Sequence, residues 1–191
     1  MAVRRGVRVV AGAARGRRLV VPDGTAVRPT SDRVKESVFS ALVSRGAIAG
    51  ASVLDLYAGS GSLAIEALSR GARHAVLVER GRAALGAITT NLAALDLAGV
   101  ARVVRADVGV FLGDEPPHEA PFGLVFADPP YEMSGASIAH VLAPLAERSW
   151  CAPGAVVVVE HSSSGTAVEV AGFENTWSRG FGDTLVTFLQ A

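Results

Sequence analysis

Asp128-Pro129-Pro130-Tyr131, directly behind the apolar run 122–127, brings together groups that can grip an aromatic amine. Two successive prolines fix two φ angles and remove two N–H donors, so the backbone behind Asp128 is stiff and the Pro129 carbonyl has no ladder partner. That carbonyl and the Asp128 carboxylate are acceptors. An exocyclic NH₂ on a nucleobase offers two donors in one plane, and the ring of Tyr131 can stack on the base that carries it. The plainer reading is a turn that only ends a strand; a second motif upstream tips the balance.

That motif is Val53-Leu54-Asp55-Leu56-Tyr57-Ala58-Gly59-Ser60-Gly61-Ser62-Leu63-Ala64, which reads as strand, glycine turn and helix. The helix starts near Ser60 or Ser62 as N-cap, buries Leu63, Ala64, Ala67 and Leu68, and stops at Gly71. A second strand, 74–79, ends in Glu79, 20 positions after Gly59. That spacing suits a carboxylate that takes the ribose hydroxyls of a nucleotide-like cofactor. Gly59, Gly61 and Ala64 also satisfy a relaxed dinucleotide fingerprint, so Asp55 discriminates: a pyrophosphate at a helix N-terminus disfavours a neighbouring carboxylate, whereas a cationic amine welcomes one. S-adenosylmethionine carries such an amine, a sulfonium and a ribose, and no phosphate. The expected cofactor residues are Asp55, Tyr57, Gly59, Ser60, Gly61 and Glu79, with Asp128 facing the transferred group. Asp107, at the end of the third strand, is expected at the adenine edge, with a helix N-cap as its alternative role.

These residues need a scaffold that brings them together, and the rest of the chain alternates accordingly. Strands 53–57, 74–79, 101–106, 122–127 and 155–160 are separated by helices near 62–70, 82–95, 108–113 and 136–148. Beyond Ser162-Ser163-Ser164-Gly165, the stretches 167–171, 175–179 and 184–189 look like strands without a long helix between them, so the sheet is expected to finish antiparallel. The fold class is α/β, a doubly wound sheet of order 3-2-1-4-5. In that order the first and fourth strands are neighbours, and their carboxyl ends form the switch-point crevice. Cofactor and target amine meet there.

The chain has 191 residues, 50% of them hydrophobic, and a formal net charge of zero, which frames one substantial core with an appendage. No apolar stretch approaches the roughly 18 residues of a membrane span, and arginines stand where a secretory signal needs an apolar run. Cys151 is alone, so an internal disulfide is excluded; it reads as a packing residue. The four histidines show no metal-ligand spacing with it, so no metal is expected.

The zero net charge conceals a segregation. Residues 1–35 carry nine Lys or Arg against two Asp, a net of +7, leaving −7 on the remainder. Such an end is expected to face a polyanion, against the alternative of a solvated basic arm. Within it, residues 7–11 and 17–21 are strand-like around a Gly12 to Gly16 turn, so a basic hairpin is expected. Pro29-Thr30-Ser31-Asp32 then opens a helix with Val34, Val38 and Leu42 on one stripe. Arg8, Arg15, Arg17, Arg18, Arg33 and Lys35 are the candidate phosphate contacts. The organisation expected is a basic extension over 1–48 and a catalytic domain over 49–191.

Three segments carry a resemblance that spans most of the chain: Arg8-Val9-Val10-Ala11-Gly12 with Arg15-Gly16-Arg17-Arg18-Leu19; Arg28-Pro29-Thr30-Ser31-Asp32-Arg33-Val34-Lys35-Glu36-Ser37-Val38-Phe39; and Asp55 to Gly61 with Asp128 to Tyr131. In them the chain resembles the bacterial small-subunit ribosomal RNA guanine-N2 methyltransferase family. The third segment is shared with amino-methyltransferases of DNA adenine and cytosine; the first two are specific. The resemblance implies a Rossmann-like class I fold and methyl transfer from S-adenosylmethionine to N2 of one guanine in the head of 16S RNA. It implies an assembled small subunit or an assembly intermediate as substrate; separately, the lone cysteine points to a reducing, cytoplasmic compartment, and a monomer is expected. Ala13-Ala14 and the loop 113–121 depart from the family pattern. On this reading Asp128, Pro129, Pro130 and Tyr131 are catalytic. Three alternatives stay open: a DNA amino-methyltransferase, a nicotinamide-dependent oxidoreductase, and a ribosome assembly factor with a vestigial cofactor site.

Overall fold

The central strands lack the in-out alternation of a half-exposed sheet. In β1 (Ser52–Leu56) every residue is buried, and β2 (His74–Glu79) and β4 (Phe122–Ala127) are buried through their middles. Strands of this kind must be covered on both faces, which calls for crossover helices and parallel pairing. The computed structural model, which describes residues 7–22 and 32–191, has that architecture. With β3 (Ala101–Arg105), β5 (Cys151–Ser162), β6 (Glu174–Phe181) and β7 (Thr184–Gln190), one seven-stranded sheet runs β3-β2-β1-β4-β5-β7-β6. The first five strands are parallel, and β7 joins β5 and β6 antiparallel. The expected order 3-2-1-4-5 is present, and its antiparallel finish lies beyond β5.

The sheet separates two apolar cores. On one face α1 (Asp32–Ser44) supplies Val38, Phe39 and Leu42, α2 (Ser62–Ser69) supplies Ile65 and Leu68, and α3 (Arg82–Ala94) supplies Ile88 and Leu92. On the other, α4 (Val108–Gly113), α5 (Gly135–Leu142) and α6 (Pro144–Glu147) bring Leu112, Ile138 and Leu145 around Trp150. The helix expected over 136–148 is therefore two. Pro144 has no N–H and its ring collides with the carbonyl a turn earlier, so α5 stops and α6 restarts with proline in its first turn. The stretch 167–171, expected as a strand, is not one. Its Val168 and Val170 are instead buried in the second core.

Residues 7–22 contribute to the first core. Arg8 and Arg18 form an antiparallel bridge, Val9 N–H donates to Arg17 at 2.9 Å, and Leu19 N–H donates to Val7 at 2.8 Å. Val9 and Leu19 are buried with Phe39 and Leu68. The turn rests on the end of α2, where Ala13 N–H donates to the Ser69 carbonyl at 2.8 Å. Gly12, at φ +83°, permits that approach: a Cβ there would sit 1.8 Å from the Ser69 carbonyl oxygen.

Lys35 requires a correction. It is 1% exposed, its Nζ donates to the Arg8 carbonyl at 2.6 Å, and it lies 3.6 Å from Glu66. A buried ammonium held this way joins the hairpin to α2 and does not reach a phosphate in solvent. Glu66, fully buried, completes the joint: it accepts from Val10 N–H at 2.7 Å, Ala11 N–H at 3.0 Å and Arg70 Nε at 2.7 Å. Arg28, Pro29, Thr30 and Ser31, the expected approach to α1, lie outside the described residues.

Candidate functional site

Parallel strands that are neighbours in space but not in sequence end together, and the registry fixes how. Leu56 pairs with Ala127 and Ala127 with Val159, so Tyr57 and Asp128, where the chain leaves β1 and β4, stand level with Glu160 near the end of β5. A cavity of about 770 Å³ opens there. Tyr57, Gly59 and Ser60 line it on the β1 side, Glu79 and Asp107 on the β2 and β3 side, and Asp128 to Tyr131 on the β4 side, with Asp55 at its base. Its size is that of a nucleoside-sized ligand with room for a second group.

The loop behind β1 is built from unusual backbone. Tyr57 has φ 60°, a left-handed value rare for an aromatic residue, and Gly59 and Gly61 have φ 58° and 77°. The loop folds back so that Gly59 N–H reaches Glu79 at 2.9 Å. Gly61 is not at the cavity wall: a Cβ there would meet Leu77 at 3.0 Å, so this glycine serves close packing of α2 on β2. Its expected cofactor contact is corrected accordingly.

Asp55 is 1% exposed and accepts from Ala64 N–H in the first turn of α2 at 3.0 Å. Burial raises its pKa to about 7, and the nearby charges of Asp128 and Glu79 push in the same direction. A carboxyl kept out of water beside two others is poised to receive a cation. Because it already occupies the N-terminus of α2, that helix end is unavailable to a pyrophosphate. The cavity thus suits a cationic nucleoside and disfavours a dinucleotide. Glu79 also accepts from Arg80 and Gly81 N–H at 2.8 and 2.7 Å, which fixes its carboxylate at the end of β2.

Asp107 caps α4, accepting from Gly109 N–H at 2.9 Å, and stands 3.3 Å from Arg80. It lines the cavity as well. Pro129 is buried while Asp128, Pro130 and Tyr131 are exposed. The Tyr131 hydroxyl donates to the Asp183 carbonyl in the β6–β7 turn, which steadies the ring at the mouth.

Several cavity residues have no counterpart in the sequence reading. Val7, Val21 and Pro22 of the N-terminal arm form part of its wall, which nothing in their types announces. Asn91 of α3, buried, donates to the Val20 and Ser60 carbonyls at 2.9 and 3.0 Å and accepts from Val20 N–H at 2.7 Å. One amide thus ties the arm to the glycine loop. Glu160 and His161, at the end of β5, also line the cavity. Burial lowers the pKa of His161, whose Nε2 lies 3.3 Å from the Thr187 hydroxyl. The rule that finds Glu79, an acid at the carboxyl end of a parallel strand, would have found Glu160.

Of the candidate phosphate contacts, Arg8, Arg15, Arg18 and Arg33 are exposed. Arg17 donates to the Ala94 carbonyl at 2.8 Å, at the C-terminus of α3, where a cation is favoured. Burial pushes the Cys151 thiol up to about 12, as a packing role requires. Among the described residues, no group of three or more His, Cys, Asp or Glu is placed to hold a metal, and no helix is long and apolar enough to cross a membrane.

The family described as conserved hypothetical protein 95 matches residues 7–190. Ribosomal RNA small subunit methyltransferase D of Escherichia coli K12 is 40% identical over 154 residues, 81% of this chain and 74% of that protein. Its namesake in Haemophilus influenzae is 38% identical over 155 residues, 81% of this chain and 78% of that one. Among solved structures, Escherichia coli yhhF superposes with a TM-score of 0.83 at 35% identity, covering 96% of this chain and 97% of that one. The Thermus thermophilus hypothetical protein TTHA0928 gives 0.81 at 30% identity, covering 97% and 99%. SMU.776, solved in complex with SAH, gives 0.68 at 14% identity, with 82% of this chain and 49% of that chain covered, a likeness of fold.

Proposed function

The chain belongs to the ribosomal RNA small subunit methyltransferase D family, and from that premise we propose that it methylates the exocyclic N2 of one guanine in 16S ribosomal RNA, using S-adenosylmethionine. The observation that carries this is the shared cavity: the glycine loop behind β1 and Asp128 to Tyr131 behind β4 open into one space.

Asp55 would hold the amine end of the cofactor, Glu79 the ribose, and Asp107 the adenine side. When bound, the cofactor supplies a methyl group made electrophilic by its sulfonium. The chain's own residues do the rest. Guanine N2 is a weak nucleophile because its lone pair is delocalised into the ring. Asp128 and the Pro129 carbonyl accept its two protons, orienting the nitrogen and favouring its nucleophilic geometry. Asp128 then takes the proton lost as the new N–C bond forms, a task within reach of an ordinary carboxylate. Pro130 stiffens the segment and Tyr131 stacks on the extruded base, whose unstacking costs a few kcal/mol.

Asp55 makes cofactor affinity depend on pH. Its raised pKa means that the carboxyl is neutral below about 7 and ionised above, and only the ionised form pairs with an ammonium. Calorimetric affinity is expected to rise by up to about tenfold per pH unit below that point and to level above it, and Asp55→Asn should flatten this limb. For the fold alone the sign is opposite: a raised carboxyl pKa lends stability that is present at acid pH and lost as pH climbs through about 7.

Residues 1–48 form the RNA-facing extension of this reading, and 49–191 the methyltransferase domain. Arg8, Arg15, Arg18 and Arg33 hold phosphates, positioning without specifying sequence. Because Arg17 is engaged with α3, the pair to neutralise is Arg15 and Arg18: Arg15→Ala with Arg18→Ala should lower the slope of log affinity against log salt by about 1.5 to 2. An unchanged slope would return the arm to the solvated-surface reading.

The substrate proposed is the small subunit or an assembly intermediate, met in the cytoplasm by a monomeric enzyme. The test is transfer of labelled methyl to subunits lacking the modification, beside deproteinised 16S RNA and duplex DNA. Label on the particle supports the reading. Label on DNA alone would replace it with a DNA amino-methyltransferase, and cofactor binding without transfer to any acceptor would leave an assembly factor.

A further inference from the structure

Three bases carry an exocyclic amine, and they differ in the ring atom beside it. Adenine and cytosine place an acceptor there, N1 or N3. Guanine places a donor, N1–H, next to N2. A site that holds N2 through Asp128 and Pro129 alone does not use this difference. A second carboxylate beside Asp128 would.

Glu160 stands in that place. Val159 pairs with Ala127, so Glu160, near the end of β5, stands level with Asp128 at the exit of β4, with backbones roughly 5 Å apart. Leu124 and Phe126 of β4, and Val156 and Val158 of β5, belong to the core on the α1 and α2 side. The two-residue period carries Asp128 and Glu160 onto that same face. Glu160 is half-buried, lines the main cavity, and borders a recess lined by Lys35, Leu63 and Phe126 on that face. It joins Asp55, Glu79 and Asp128 at the cavity, where like charges already raise the pKa of Asp55.

We propose that Glu160 reads the Watson–Crick edge of the target base: its carboxylate accepts guanine N1–H while Asp128 and the Pro129 carbonyl accept the N2 protons. The inference rests on the guanine-N2 reading above. An ionised carboxylate is acceptor-only with about four lone-pair sites, so it serves N1–H alongside any partner within the protein. Facing the N1 of adenine or the N3 of cytosine, it meets a lone pair with a lone pair. Glu160 therefore selects guanine among amino bases, where the Asp-Pro-Pro-Tyr segment selects only an amine.

The test uses small subunits reconstituted with 16S RNA that carries either guanine or 2-aminopurine at the target position. 2-Aminopurine keeps the 2-amine and replaces N1–H by an acceptor. The wild-type enzyme is expected to methylate the guanine substrate at least about 100-fold faster, as a site built to pair a donor rejects its absence. Glu160→Gln, whose amide can turn either its carbonyl or its NH₂ toward N1, should shrink that ratio to within about tenfold. A role confined to structure would lower both rates and leave the ratio alone. Equal wild-type rates, or a ratio preserved in E160Q, would overturn the inference. The wild-type comparison needs no variant, so misfolding of E160Q leaves it decisive. Absence of transfer to the guanine substrate itself would count against the guanine-N2 reading instead.

Discussion

Asp128→Ala is expected to lower kcat by about 10²- to 10⁴-fold, the range for a positioned base and acceptor, while S-adenosylmethionine affinity stays within a few-fold. The separation follows from the layout. Asp128 lies at the end of β4, on the side where the base would enter, whereas the residues assigned to the cofactor belong to β1, β2 and the end of β3. Their charges meet across the cavity: Asp128 helps raise the pKa of Asp55. Its removal should therefore move the acid limb of cofactor binding to lower pH, a second signature of the same geometry. Asp128→Asn, which keeps one acceptor but offers no base, should fall between Ala and wild type. Equilibrium binding beside single-turnover transfer reads both quantities. Loss of cofactor binding in Asp128→Ala would assign this residue to the cofactor.

Glu66→Ala is expected to cost about 3–5 kcal/mol of folding stability, the penalty for breaking a buried ion pair from one side. Four groups converge on that carboxylate: the Val10 and Ala11 N–H groups, Arg70 and Lys35. Alanine strips the two amides of their acceptor and removes the negative charge beside the buried Lys35 ammonium, which keeps the Arg8 carbonyl. Total stabilities are about 5–15 kcal/mol, so the melting temperature should fall by roughly 10 °C. The effect should concentrate on the arm, with amide exchange at Val10 and Ala11 accelerating first. Replacing Glu66 and Lys35 together by Met should recover part of the loss, because an apolar pair avoids the desolvation cost of both charges. A melting temperature within a degree of wild type in Glu66→Ala would show that the joint does not hold the arm.

The legible parts of this chain are those where residue type and period act locally. Buried runs such as 53–56 and 122–127 can only be central parallel strands, and their order follows from the β-α alternation. Asp55, Glu79 and Asp128 were readable because an acid at the carboxyl end of a parallel strand lies at the switch point whatever the surroundings. What escaped depends on contacts across long sequence separations. Lys35 sits on the charged face of a helix as judged by sequence, yet Glu66, 31 positions on, draws it inward. Asn91 looks like any polar residue in α3 until Val20 and Ser60 arrive at its amide. The valines of 167–171 have strand character, but Val168 and Val170 are drawn into the core that holds Ile138 and Trp150. Glu160 was legible by the same rule as Glu79.

Everything proposed for this site follows from the amine presented to the cofactor being N2 of guanine. Methylating small subunits with labelled S-adenosylmethionine, digesting the RNA to nucleosides and identifying the labelled species by mass tests it directly. The labelled nucleoside is expected to be N2-methylguanosine. Label in N6-methyladenosine, in a methylated cytidine, or in a guanosine methylated elsewhere on the ring would contradict it.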